Sequence, residues 1–481
     1  MYGIATVLSQ MTSLILLPVY TRALTPEDYG VLELMQLVVD FTALFVSMRL
    51  GEAIFRYYTG SDSPEVGNET VASCLGLAMM MGALGLVAIA MCSGWLAESL
   101  FGDRALRGLL LLMGTTLLLQ PLIELPAALI RAQQRPKVFL AFRLAGLALR
   151  VALNVVFVVG MKMGVAGAVY ANVLATATQA VVMGGYAVAQ VGCRFRWERA
   201  RAVFGFSWPI LVGSLGSYYI GFADRYFLRM FSDLETIGLY ALAARFGTAY
   251  FAFGYTPFSM AWDAERYRIA KSANPIPAFQ QVFRMLSVYL VFLGLVVSVL
   301  ADDVIRILAA EPFWGAAQLI PIFIANALFM AWGAYVRFGL LLRERTIEFA
   351  RVTWMAVPIT TLAFIVLIPG MHATGAVLAV TVGNLFRLIY VHFKARAVYD
   401  MRLEWSRIAP ATIVLMLVVV ILPLVPVSSA ISAAALDAIV LILGALFLWC
   451  GPVLSSEDRR RVIGVGKFAL SRLPVLSARR V

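Results

Sequence analysis

LLPVYTRALTPEDYGVLEL, residues Leu16–Leu34, is the stretch whose reading decides the fold. One apolar run enters it and another leaves it, yet it holds Arg22, Glu27 and Asp28, with Pro26 just ahead of Tyr29-Gly30. A chain buried in lipid stops and restarts in this way at a hairpin corner. Proline loses no internal hydrogen bond in the first turn of a helix. Glu27 and Asp28 favour the positive end of the helix that follows. Gly30 is expected to let the preceding helix approach closely.

A related phrase, SDLETIGLYAL, occupies Ser232–Leu242. Sliding the chain by 208 positions places Glu27 on Glu235, Gly30 on Gly238 and Leu34 on Leu242. At the same offset Arg135 falls on Arg343, Arg143 on Arg351, and Gly167-Ala168-Val169 on Gly375-Ala376-Val377. Anchors near both ends of a half share one register without gaps. This predicts two six-helix halves. Six is even, so both halves enter the membrane from the same side and form parallel repeats.

The composition agrees. Of 481 residues, 62% are hydrophobic and 14% charged, far from the balance of a soluble domain. Runs of about 20 apolar residues read as membrane-spanning helices. Fourteen are expected, at about 3–20, 30–56, 71–95, 107–130, 138–160, 164–191, 205–228, 236–262, 279–301, 314–341, 346–369, 373–394, 408–427 and 430–453. Helices are favoured over a barrel because the runs are long and continuously apolar. The expected organisation is an all-α polytopic membrane protein. It has a first six-helix bundle (1–191), a cytoplasmic linker (192–204), a second bundle (205–398), two further helices (399–454) and a basic tail (455–481).

The formal net charge of +12 reads as topology rather than as nucleic-acid binding. Lys and Arg collect in alternate loops, as at Arg131, Arg135 and Lys137, and again at Arg194, Arg196, Arg199 and Arg201. The rule that such loops stay inside places both termini in the cytoplasm. The acidic loop at 59–70 dissents, but acids weigh little in that rule. The four cysteines lie far apart and form no metal or redox motif.

Several motifs together resemble the polysaccharide flippases of the multidrug/oligosaccharidyl-lipid/polysaccharide (MOP) transporter superfamily. They are the opening stretch, Ser207-Trp208-Pro209, ADRYFL (223–228), IGLYALAARF (237–246) and GMHATGAVLA (370–379). The resemblance implies twelve core helices in two bundles with two extra C-terminal helices. It also implies the task of moving a lipid-linked oligosaccharide, on undecaprenyl pyrophosphate, from the inner to the outer leaflet of the bacterial inner membrane. Its implied partners are that substrate, membrane lipids, a polysaccharide polymerase and a chain-length regulator. No cofactor is implied beyond coupling to protons or sodium.

Such a substrate needs a wet path with cationic groups. Ionisable residues inside spans are costly and so are functional candidates. Arginine suits phosphate because it stays charged and binds two oxygens at once. Arg49, Glu52 and Arg56 share a face of the second helix, and Arg143, Arg150 and Asn154 a face of the fifth. Arg150 sits about 12 residues in, ~18 Å deep at about 1.5 Å per residue, near the bilayer middle. On the seventh helix Ser217, Gly221 and Asp224 share a face, with Arg225 adjacent, and Arg245 enters the eighth. The substrate-binding candidates are therefore Arg49, Arg56, Arg143, Arg150, Arg225 and Arg245. Arg49, Arg56 and Arg143 are near enough to a surface to snorkel instead, and Asp224-Arg225 also reads as a structural pair.

Asp40, with Glu33 and Gln36 on its face, and Glu52, Glu124 and Asp224 are the candidate ion-coupling sites. Glu124 lies between Pro121 and Pro126, which reads equally as an irregular helix against water and as a plain kink. Two rivals stay open. An enzyme is disfavoured by two histidines only, His372 and His392, and by GVGK (464–467), which lacks the rest of a phosphate loop. A multidrug cation antiporter of the same superfamily would want an acidic or aromatic cavity, and a lipid II flippase would use the same cationic one.

Overall fold

The computed structural model describes residues 15–60, 63–345, 347–422, 430–451 and 453–460. All regular structure among them is helical. Most of the expected first span and of the basic tail, and residues 423–427 of the thirteenth span, lie outside the described residues.

The chain runs through α1 (15–23), α2 (Pro26–Thr59), α3 (Pro64–Phe101), α4 (Arg104–Ala132), α5 (Pro136–Gly160), α6 (Gly164–Val191) and α7 (Trp197–Phe231). Next, α8 runs from Leu234–Tyr250 through a π-helical turn to Ala270. Then come α9 (Ile276–Val299) and α10 (Glu311–Leu342). The stretch Ile347–Val398 is two limbs, α11 and α12, on either side of a single non-helical residue, His372 (φ 46°, ψ −123°). α13 is Trp405–Ile421 and α14 is Ala430–Cys450. Among the described residues nine stretches are long and apolar enough to cross a membrane, α11 and α12 counting as one; α13 and Ala434–Cys450 are apolar but shorter. The chain is a polytopic all-α membrane protein.

The opening stretch is a capped corner, as its residues require. The Thr25 hydroxyl accepts from the Asp28 amide and the Asp28 carboxylate from the Thr25 amide, both at 3.1 Å. This reciprocal box satisfies two orphan donors at the helix start. Gly30, however, does not serve the preceding helix. A Cβ there would overlap the Leu234 carbonyl oxygen, and a Cβ on Gly238 would overlap the Pro26 carbonyl oxygen. The two contacts are the same contact, exchanged at the offset of 208. The starts of α2 and α8 therefore cross backbone on backbone about the repeat axis. Only glycine fits, because any side chain would meet a carbonyl that cannot move aside.

Other expectations are modified. α2 does not run straight. Met48 (φ 39°) and Arg49 (φ 57°) both take the left-handed conformation and divide Pro26–Ser47 from Leu50–Thr59. Two successive non-glycine residues there are uncommon. α7 begins at Trp197 rather than 205, because WERARAVF supplies good helix formers beyond the apolar run. α4 divides into Arg107–Gly114, Thr116–Leu119 and Pro121–Ala132; the interruptions lie at Thr115 and Gln120, upstream of the expected place, and the stretch holding Glu124 and Pro126 is continuous helix.

By contacts the chain forms two compact units. The first holds the described residues up to Arg245, with Ile305–Leu319 and Ala350–Gly383; the second holds Phe246–Val304, Ile320–Phe349 and the described residues from Asn384 onward. In the first unit α2, α3, α4, α6 and α7 meet at a core built on Leu50, Ile54, Cys74, Leu129, Ala187 and Leu211. The second is filled by rings. Trp262 stacks on Tyr335 at 5.3 Å, Trp332 meets Trp405 edge-on at 5.4 Å, and the Trp332 indole donates to Ser287 at 3.0 Å.

Candidate functional site

The first unit encloses a cavity of about 1000 Å³. Three helix faces read from the sequence line it. α2 presents Glu33, Gln36 and Asp40, spaced so that one helical face carries all three. α5 presents Arg143, Arg150 and Asn154, and α4 presents Gln120 and Glu124. α6 adds Thr176 and Gln179, and α8 adds Arg245. The break at Met48-Arg49 brings Arg49 and Glu52 into the wall as well.

Most of these charges are matched. Arg143 lies 3.8 Å from Glu124, and Arg49 lies 3.7 Å from Glu52. Glu33 is clamped by two arginines: Oε1 accepts from Arg225 Nε and Oε2 from Arg245 Nη2, each at 2.9 Å. Two charges are left without an ionic partner of opposite sign among the described residues. Asp40 accepts a 2.7 Å bond from Gln36 and pairs with no cation. Arg150, on the cavity wall, makes no ion pair among the described residues. Burying an unmatched guanidinium in a bilayer is costly unless water or a ligand solvates it. An open cavity supplies that solvation.

The remaining candidates stand elsewhere. Arg56 is not in the cavity wall; the turn at Met48-Arg49 separates it from the upper α2 face, and its guanidinium lies 4.6 Å from the Phe206 ring centroid. Asp224 and Arg225 do not line the cavity either. The α7 face toward it carries Tyr218 and Phe222, one residue round from the expected Ser217–Gly221 stripe. A single-residue step turns a helix by about 100°, which directs Asp224 inward. Asp224 is 3% exposed. It pairs with Arg225 at 3.1 Å and accepts from the Tyr240 hydroxyl at 2.5 Å. The structural-pair reading of Asp224-Arg225 describes this geometry.

Sequence reasoning noted Glu33 only as a neighbour of Asp40. Its central place needs α7 and α8 beside α2, which no local pattern encodes. Arg131 also lines the cavity, with its guanidinium over Phe55 and Phe139. In the second unit, Arg387 donates to Asn384 at 3.3 Å, and Asn384 donates to Asn326 at 2.9 Å.

A family model described as "polysaccharide biosynthesis protein" matches residues 19–260, half of the chain. No curated protein matches in sequence. Among solved structures, the lipid II flippase MurJ in an inward closed conformation is similar with a TM-score of 0.71 at 10% identity, over 93% of this chain and 98% of that one. An inward-facing multidrug resistance MATE transporter of the MOP superfamily is similar with a TM-score of 0.64 at 14% identity, over 83% and 99%. A MOP superfamily transporter from Pyrococcus furiosus, reported for the reverse polarity of its binding pocket, gives 0.55 at 12% identity, over 83% and 95%. These identities establish the fold and no more. The matched half of the sequence decides the family: the chain belongs to the polysaccharide biosynthesis protein family.

Proposed function

We propose that this protein moves an undecaprenyl-pyrophosphate-linked oligosaccharide from the cytoplasmic to the outer leaflet of the bacterial inner membrane, by alternating access and without catalysis. The glycan would be destined for surface polysaccharide or O-antigen. The observation that carries this reading is Arg150, a guanidinium deep in a helix, in no ion pair among the described residues, facing a cavity of about 1000 Å³. A diphosphate supplies the missing anion, and guanidinium binds its oxygens in pairs. The volume is at the upper end for small-molecule sites, which suits a headgroup carrying sugars. Amides on the wall, from Gln36, Gln120, Asn154 and Gln179, and the Thr176 hydroxyl match a polar glycan.

Orientation in this reading follows the excess of Arg and Lys in alternate loops, with both termini cytoplasmic. The repeat supports two six-helix bundles, 1–191 and 205–398, rocking about their shared axis. Asp40, the cavity carboxylate without a cation, is the coupling site for a proton or sodium ion. The MurJ-like fold favours a lipid II flippase as the second reading, since lipid II carries the same pyrophosphate anchor.

The test is complementation of a strain that lacks its oligosaccharide flippase. Wild type restores surface glycan. Arg150→Ala loses it at unchanged protein abundance, by at least about tenfold, the worth of one charge-assisted contact. Rescue of a lipid II flippase deletion instead would select the second reading. Asp40→Asn is expected to bind substrate normally and to lose the dependence of transport on the ion gradient, measured in proteoliposomes.

A further inference from the structure

The cavity wall contains one ionic junction that joins three helices. Glu33 of α2 holds Arg225 of α7 and Arg245 of α8 with its two oxygens. It lies one turn below Gly30, directly under the crossing of α2 and α8. The two arginines are not equivalent. Arg225 is 11% exposed in its side chain and has a second carboxylate, Asp224. Arg245 is 36% exposed, lines the cavity and has Glu33 as its ion-pair partner. Arg150 and Arg245 line the same cavity.

We propose that the Glu33–Arg245 pair is a latch released by the substrate's anion. This rests on the functional reading above. Two carboxylates and two guanidiniums make the junction neutral: Glu33 and Asp224 against Arg225 and Arg245. A diphosphate held by Arg150 and Arg245 adds negative charge beside Glu33. Repulsion then works against the Glu33–Arg245 bond, and Arg245 has a better partner. Arg225 keeps Glu33 and Asp224, so α2 stays tied to α7 while its tie to α8 is lost. Above it, Gly30 and Gly238 each meet the opposing backbone carbonyl with no side chain of their own between them. Loss of the ion pair below therefore frees the two helix starts to part. The same carboxylate keeps the crossing closed in the empty protein and yields when cargo arrives.

The experiment measures the distance between spin labels at Glu27→Cys and Glu235→Cys, both exposed first-turn positions on α2 and α8. The native Cys74, Cys92, Cys193 and Cys450 are replaced, and the full chain is held in lipid nanodiscs. Farnesyl diphosphate is the probe and farnesol the neutral control, with binding of each quantified separately. The expected result is a shift to longer, broader distances with the diphosphate and none with farnesol. Arg245→Gln and Glu33→Gln should each show the long distances without ligand, and Arg245→Gln should lose the response. Diphosphate binding with no change in distance overturns the latch and leaves the functional reading intact. So does a short distance in both ligand-free variants. Failure of the diphosphate to bind overturns the functional reading and the latch with it.

Discussion

The two repeats share a frame and differ in chemistry. At the helix corners the offset of 208 preserves what geometry needs: Thr25 and Asp233 as N-caps, Glu27 and Glu235 in the first turn, Gly30 and Gly238 at the crossing. On the cavity face it keeps Arg143 as Arg351 and Ala168-Val169 as Ala376-Val377, and changes most of the other polar positions. Glu33 falls on Ala241, Gln36 on Ala244, Asp40 on Thr248, Arg150 on Pro358 and Asn154 on Leu362. Glu124, on the cavity wall, falls on Trp332, which packs against Trp405 in the ring-filled second unit. Packing at a symmetry axis constrains both copies alike. A ligand site needs its charges once, so the second copy is released to fill space.

This contrast is open to attack in a definite order. Asp224→Leu should cost most, because it strips Arg225 and the Tyr240 hydroxyl of a buried carboxylate. Loss of one partner of a buried pair costs about 3–5 kcal/mol, read as thermal unfolding in detergent. Gly30→Ala and Gly238→Ala come next, at about 1–3 kcal/mol each for overpacking. If the crossing is reciprocal, the two losses match; a large loss from one and none from the other would break the symmetry. Smallest are the caps. Thr25→Ala and Asp233→Ala should each cost about 1 kcal/mol.

The caps also differ in pH dependence. Hydrogen bonds from the side chain and backbone of Thr236 hold the Asp233 carboxyl below its usual range. A carboxyl depressed on folding stabilises above its unfolded value, about 3.9, and that contribution is lost as the pH falls through the folded value. The cost of Asp233→Ala should therefore shrink below about pH 4, measured as the difference in melting temperature across an acid series. Thr25 carries no charge, so its hydroxyl cap should keep its worth further into acid.

Much of this was legible in the chain because it is periodic. Glu33, Gln36 and Asp40 share a face by helical spacing alone, as do Arg143, Arg150 and Asn154, and both stripes reach the cavity. Glu124 reached the cavity wall, but from the continuous helix Pro121–Ala132; the breaks lie upstream, at Thr115 and Gln120. The failures have one cause. Arg56 shares a helical face with Arg49 only if α2 is continuous, and two left-handed residues inside an apolar run leave no compositional mark. The α7 face was missed by one residue, because Gly221 and Ser217 read as small and polar while Tyr218 and Phe222 read as packing. Glu33 looked minor because its partners are 192 and 212 residues away.

The amino-acid sequence by itself determined the helical membrane class, the offset of 208, the capped corners and the spacing of charges along each helix. These follow from local rules: the thickness of lipid, the orphan groups at helix ends and the 3.6-residue turn. Only the tertiary structure decided which charges meet. It set Gly30 against the start of the repeat-mate helix, gave Glu33 to two distant arginines and left Arg150 and Asp40 without ionic partners among the described residues. Pairing in space depends on how helices far apart in the chain are brought together, and no spacing within one helix records it.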